Sequence, residues 1–190
     1  MTKSIMLVGA GGQGAILATK LLTIGLMQSG YDVKMSEIHG MSQRGGSVSS
    51  QVRYGEKVQS PVIERGGADV MISFEKMEAL RWLEYLRVGG KLVVNDFQLN
   101  PMPVVCGLAE YPTGIKEELN AKVSDITWVK AFDEAVALGS AQVLNIVLLG
   151  ATIKILGLTD VDWNSIIAEE VKADFVELNQ QALAKGLTLV

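Results

Sequence analysis

Two rhythms of apolar residues alternate along this chain: short runs, and longer stretches where they return every three or four positions. Ser4–Gly9 is a short apolar run with glycines behind it, and it reads as a buried strand. From Gly12 to Ser29 the residues Ile16, Leu17, Leu21, Leu22, Ile24 and Met27 recur at helical steps, and Gly30 is placed to stop that helix. Asp32–Glu37 reads as a second strand, succeeded by a polar, glycine-rich loop over Glu37–Gly46. In Ser47–Tyr54 the residues Val48, Ser50, Val52 and Tyr54 alternate with Ser47, Ser49, Gln51 and Arg53. That period of two predicts a half-exposed strand of the antiparallel kind.

The pattern then repeats. Asp69–Phe74 reads as a strand, Glu75–Arg87 as a helix stopped by Gly89 and Gly90, and Lys91–Asn95 as a strand. The stretch 96–114 holds Pro101, Pro103 and Pro112 and is expected to be irregular. Next come a short helix over Ile115–Lys122, a strand over Asp125–Ala131 and a helical turn over Phe132–Leu138. Ser140–Leu156 is an apolar helix. A last amphipathic helix runs over Asp162–Lys185, closed by Gly186. Strands alternating with helices predict an α/β fold: one three-layer, Rossmann-like domain over residues 1–190 with a mainly parallel sheet.

Composition narrows the function. At 48% hydrophobic and 20% charged residues, disorder is excluded as a global description. The chain has one cysteine, Cys106, and one histidine, His39. A disulfide framework is therefore excluded, as is an iron–sulfur cluster held by this chain alone, and a His/Cys zinc site is not expected. The net charge of −4 and pI of about 5.1 come without a basic patch, so no nucleic-acid partner is expected. The most hydrophobic segment, Ala141–Leu158, carries Gln142, Asn145 and Lys154 and reads as a buried helix, not a membrane span. No secretory signal is visible, and a cytoplasmic location is expected.

The glycines carry the first chemical signal. Gly9-Ala10-Gly11-Gly12-Gln13-Gly14 comes after a strand and opens a helix, the context of a dinucleotide-binding turn. There the glycines permit a tight turn and close approach of a ligand, and the helix N-terminus favours an anion. A tight turn without a ligand fits the same residues. Glu37, at the end of the second strand, stands where the ribose acid of such a site is expected. The residues after it, Ile38-His39-Gly40-Met41-Ser42-Gln43-Arg44-Gly45-Gly46, are not an ordinary continuation of that motif. This loop leaves the carboxyl end of a strand, where open α/β sheets place their sites.

These two segments together resemble the beta subunit of indolepyruvate:ferredoxin oxidoreductase and, more broadly, the gamma subunit or domain of the 2-oxoacid:ferredoxin oxidoreductases. Phe74-Glu75-Lys76-Met77-Glu78-Ala79-Leu80-Arg81, Asn95, and Asn145-Ile146-Val147-Leu148-Leu149-Gly150-Ala151 agree with it, so the resemblance spans nearly the whole chain. It implies an accessory subunit of a heteromeric complex. Such complexes oxidatively decarboxylate indolepyruvate or other arylpyruvates to the aryl-acetyl-CoA and pass electrons to ferredoxin. Thiamine diphosphate, Mg and 4Fe-4S clusters are expected on a large alpha subunit, with CoA as co-substrate of the assembled complex. This chain lacks the Gly-Asp-Gly segment and later asparagine usual in thiamine sites, and it has no set of cysteines.

The positions and chemistry of these residues give the candidates. Gly9, Gly11, Gly12, Gln13, Gly14, Glu75 and Asn95 are expected to face one crevice, Glu75 and Asn95 either meeting a ligand there or capping neighbouring helices. Met41, Ser42, Gln43, Arg44, Gly45 and Gly46 are expected at the interface with the large subunit; methionine suits such irregular surfaces. His39 is a candidate proton donor or a structural hydrogen-bonder. Arg44 is a candidate grip on a carboxylate or CoA phosphate, or one half of an intersubunit ion pair. Cys106 is not expected to act as a nucleophile, and Trp82, Trp128 and Trp163 are expected in core or interface. Two other readings remain beside this one: a stand-alone NAD(P)-binding dehydrogenase resting on the glycine turn and Glu37, and a non-catalytic oligomeric scaffold.

Overall fold

The computed structural model describes residues 2–39 and 45–190. Six strands form one sheet: β1 (Lys3–Ala10), β2 (Asp32–His39), β3 (Ser47–Gly55), β4 (Ala68–Ser73), β5 (Leu86–Asn95) and β6 (Asp125–Val129). Their order is β2-β3-β1-β4-β5-β6. β3 runs antiparallel to both β1 and β2, while β1, β4, β5 and β6 are mutually parallel. The sheet is thus mainly parallel, as the alternation of strands and helices predicts.

Helices cover both faces, and each strand's alternation decides what lies where. Ile5, Leu7, Val52, Ile72, Val93 and Val129 point to one face, into a large apolar core. There α1 (Ala15–Gln28), α5 (Ala131–Ala137), α6 (Leu144–Leu156), α7 (Trp163–Glu170) and α8 (Val176–Leu187) pack. Met6, Val8, Met71, Leu92 and Val94 point to the other face. It is covered by α2 (Lys76–Arg81), α4 (Ile115–Lys122) and the chain around Ile63. The brief α3 (Met102–Val105) lies between β5 and α4 in sequence.

Four sequence expectations need correction. β3 is not half-exposed: Ser49, Ser50, Gln51 and Val52 are buried. Segment 56–67 folds over its polar side, where the Gln51 side-chain oxygen accepts from Ile63 N at 2.7 Å and Arg53 donates to the carbonyls of Ser60 and Val62. The helix predicted to reach Arg87 stops at Arg81, and after a short 3-10 turn the chain is already strand at Leu86. Gly89 and Gly90 therefore lie inside β5, not at a helix end. The last helix is two, α7 and α8, divided by residues 171–175. Gly186 does not close α8 but lies within it, at a tight crossing with α6: a Cβ there would stand 2.1 Å from Val147 O and 2.9 Å from the Cα of Gly150. α1 begins at Ala15, with Gly14 in the left-handed region at φ 76° as its cap. Gly30 does end α1, with φ 85° and backbone bonds that return to the last turn.

Candidate functional site

The glycine turn and the end of the polar loop meet. Gly11 N donates to Gly46 O at 2.8 Å, and Gly45 N donates to Gly11 O at 3.1 Å. This pair forms because β3 begins beside the end of β1, with Ala10 opposite Ser47 in the ladder. A crevice of about 660 Å³ opens beside the pair, lined in part by Gly11, Gly12, Gln13, Gly45, Leu99 and Met102. The ring of Phe97 stacks on that of Phe132 at 4.3 Å along the same crevice. A second hollow of about 450 Å³ shares Gly11 and Gly12 and reaches Ile16 and Val48. No charged side chain lines either one among the described residues.

The other crevice candidates serve the scaffold. The Gln13 side chain accepts from Ala10 N at 2.8 Å and donates to Phe74 O at 3.2 Å, closing the glycine turn onto β4. Gly9 leaves the room this needs: a Cβ there would stand 2.9 Å from both the Gln13 amide oxygen and the Phe74 Cβ. Asn145 of α6 donates to Gly14 O at 3.1 Å and occupies the space a Gly14 side chain would need. Asn95 is fully buried and donates to the same Phe74 carbonyl at 3.1 Å. Glu75 is 1% exposed and caps α2 by accepting from Glu78 N at 3.0 Å. It also accepts from Leu99 N and from the Tyr111 hydroxyl. Glu75 and Asn95 do not line the crevice; they are consumed in the walls behind it. Burial pushes the Glu75 carboxyl above its ordinary range, and burial together with the adjacent carboxylate pushes the Tyr111 phenol up as well.

Sequence reasoning missed a second buried carboxylate. Glu78 accepts from the Ser47 hydroxyl, from Arg81 Nε at 3.0 Å and from Trp82 Nε1 at 3.3 Å. Its signal was its place three residues after a helix-capping glutamate, one turn along the same helix. The candidates Met41, Ser42, Gln43 and Arg44, and the His39 side chain, lie outside the described residues.

Two observations bear on the dinucleotide reading. β3 is inserted between β1 and β2, so Glu37 stands two strands from the glycine turn, about 10 Å at ordinary strand spacing. A ribose held near α1 needs that acid on the neighbouring strand. Cofactor donors are equally sparse. Among the described residues no group of three or more His, Cys, Asp or Glu side chains is placed to hold a metal, and Cys106 is exposed. These residues therefore offer no ligand set for a cluster. Among the described residues no helix is long and apolar enough to cross a membrane.

The chain is 37% identical, over 97% of its length and 94% of the relative's, to indolepyruvate oxidoreductase subunit IorB of Thermococcus kodakarensis. The solved gamma subunit of a keto/oxoacid ferredoxin oxidoreductase from Geobacter sulfurreducens superposes with a TM-score of 0.69 at 25% identity, covering 97% of this chain and 95% of that one. The 2-oxoglutarate:ferredoxin oxidoreductase of Magnetococcus marinus shares the fold at a TM-score of 0.75 and 18% identity; there 99% of this chain matches only 31% of a longer one. The sequence profile of the pyruvate ferredoxin/flavodoxin oxidoreductases matches residues 4–189, and with that full-length match the chain belongs to this family.

Proposed function

We propose that this chain is the accessory, cofactor-free subunit of a cytoplasmic 2-oxo acid:ferredoxin oxidoreductase that acts on indolepyruvate or related arylpyruvates and releases the aryl-acetyl-CoA. The observation that carries this reading is the end-to-end similarity to an indolepyruvate oxidoreductase subunit IorB. The geometry supports it in two ways. The described residues offer no ligand set for a cluster, which suits thiamine diphosphate, Mg and the 4Fe-4S clusters belonging to a large alpha subunit. And Gly11, Gly45 and Gly46 join two loops beside a crevice at the carboxyl end of the sheet whose described lining is uncharged, which suits a subunit contact. The large subunit docks there, and ferredoxin is met through the complex.

The test is reconstitution. The chain purified alone should carry no thiamine and no iron and should show no turnover. Added to its large subunit, it should restore indolepyruvate- and CoA-dependent reduction of a viologen dye. Full activity of the large subunit without this chain overturns the accessory role. Restoration with pyruvate or 2-oxoglutarate, but not with arylpyruvates, overturns the aryl substrate and leaves the subunit role standing.

A further inference from the structure

α2 is a helix of six residues, yet it carries or borders two carboxylates almost closed to solvent, Glu75 at 1% and Glu78 at 4% exposure. Burying a carboxylate is costly unless its oxygens are well occupied. Capping α2 needs only one of them, and uses only the bond from Glu78 N to Glu75. Of the remaining bonds, those from Arg81 and Trp82 to Glu78 stay local to α2, and three reach other segments. Glu78 takes the hydroxyl of Ser47, the residue after the Gly45–Gly46 pair that is bonded to Gly11. Glu75 takes Leu99 N at 3.3 Å and the Tyr111 hydroxyl. Gly45 and Leu99 both line the crevice. One short helix is thus tied to two of its walls by two separate carboxylates.

We propose that Glu75 and Glu78 are positioning residues that clamp these two walls and thereby set the shape of the crevice the large subunit meets. The inference rests on the docking reading above. The Glu78 clamp is removed from its far end by Ser47→Ala, and the Glu75 clamp is loosened by Tyr111→Phe, which takes away the hydroxyl that shares Glu75 Oε1 with Leu99 N. In the reconstitution assay each variant should raise the chain concentration for half-maximal dye reduction about tenfold, with the saturated rate within twofold of the parent and cooperative melting retained. Ser47→Thr, which keeps the hydroxyl, should restore assembly. Glu78→Gln combined with Ser47→Ala should shift half-saturation no further than Ser47→Ala alone, because the bond to Ser47 is the one by which Glu78 reaches a crevice wall, while those from Arg81 and Trp82 stay local to α2. Half-saturation within twofold of the parent for both Ser47→Ala and Tyr111→Phe overturns the proposal. Met102→Asp separates the two levels, since Met102 lines the crevice and is 64% exposed. If it weakens assembly while the clamp variants do not, the clamps alone are wrong. If neither it nor they weaken assembly, docking at this crevice is wrong as well.

Discussion

On the face packed by α1 and α5–α8, the sheet meets long helices whose buried side chains are almost all apolar, among them Leu21, Leu22, Ile146 and Leu148. The opposite face has a smaller apolar cluster around Met6, Met71, Leu92 and Leu119, and it is completed by polar devices: the Arg53 and Gln51 bonds to segment 56–67, and the two carboxylates at α2. The contrast teaches where each kind of information resides. The thick face stabilises by area and close packing, which is non-directional. The thin face stabilises less by area but fixes particular segments through directional bonds, and those held by the α2 carboxylates border the crevice. Positional control is concentrated where the hydrophobic core is smallest.

The comparison can be broken most forcefully on the thick face. Gly186→Val should cost about 3 kcal/mol or more, because the added carbons meet the Val147 carbonyl and the Gly150 backbone, not a side chain that can turn away. Urea unfolding checks it; a loss below about 1 kcal/mol would show that the α6–α8 crossing is not tight. On the thin face, Leu119→Ala should cost about 2–3 kcal/mol, at the low end for a fully buried leucine, because short elements can settle into the gap. Leu148→Ala in the helix-covered core should cost more in the same measurement. A reversed order would overturn the ranking of the two faces.

The mildest perturbation is pH. Burial raises the Glu75 carboxyl, so the folded chain binds that proton more tightly than the unfolded one. This group's contribution is therefore most favourable at and below the ordinary glutamate range, and it is lost as pH rises through the raised folded value. Melting temperature tracked across that range should fall more steeply for the parent than for Glu75→Gln, whose amide cannot ionise. Parallel profiles would mean that the tyrosine and backbone donors offset the burial.

Much of the fold could be read from the sequence because its signals are local. The apolar run of β1, the three- and four-residue steps of α1 and the stop at Gly30 depend on near neighbours. So do the limits of α4, which match the predicted Ile115–Lys122. The errors share a cause. β3 reads as half-exposed because its polar residues look solvated, but segment 56–67 returns to bury them. Gly186 reads as a helix stop because glycine often is one, but α6 crosses there. The candidate site was legible in the same partial way. Gly11, Gly45 and Gly46 could be expected near one another from the strand ends; of the two readings open for Glu75, a ligand or a helix cap, the cap is the one seen, while its bonds to Tyr111 and Leu99 and that of Asn95 to Phe74 could not be read from sequence.

Residue order was enough for the alternating α/β plan, for the absence of a cysteine set able to hold a cluster, and for the two glycine segments that mark the family. Three other features emerge only in the folded chain: β3 separates β1 from β2, the described lining of the crevice is uncharged, and α2 ties its walls with buried carboxylates. The physical reason is range. Periodicity and composition report each residue's preference against an average surrounding, while strand order and carboxylate partners are set by segments distant in the chain, as Ser47 is from Glu78 and Gln13 from Phe74.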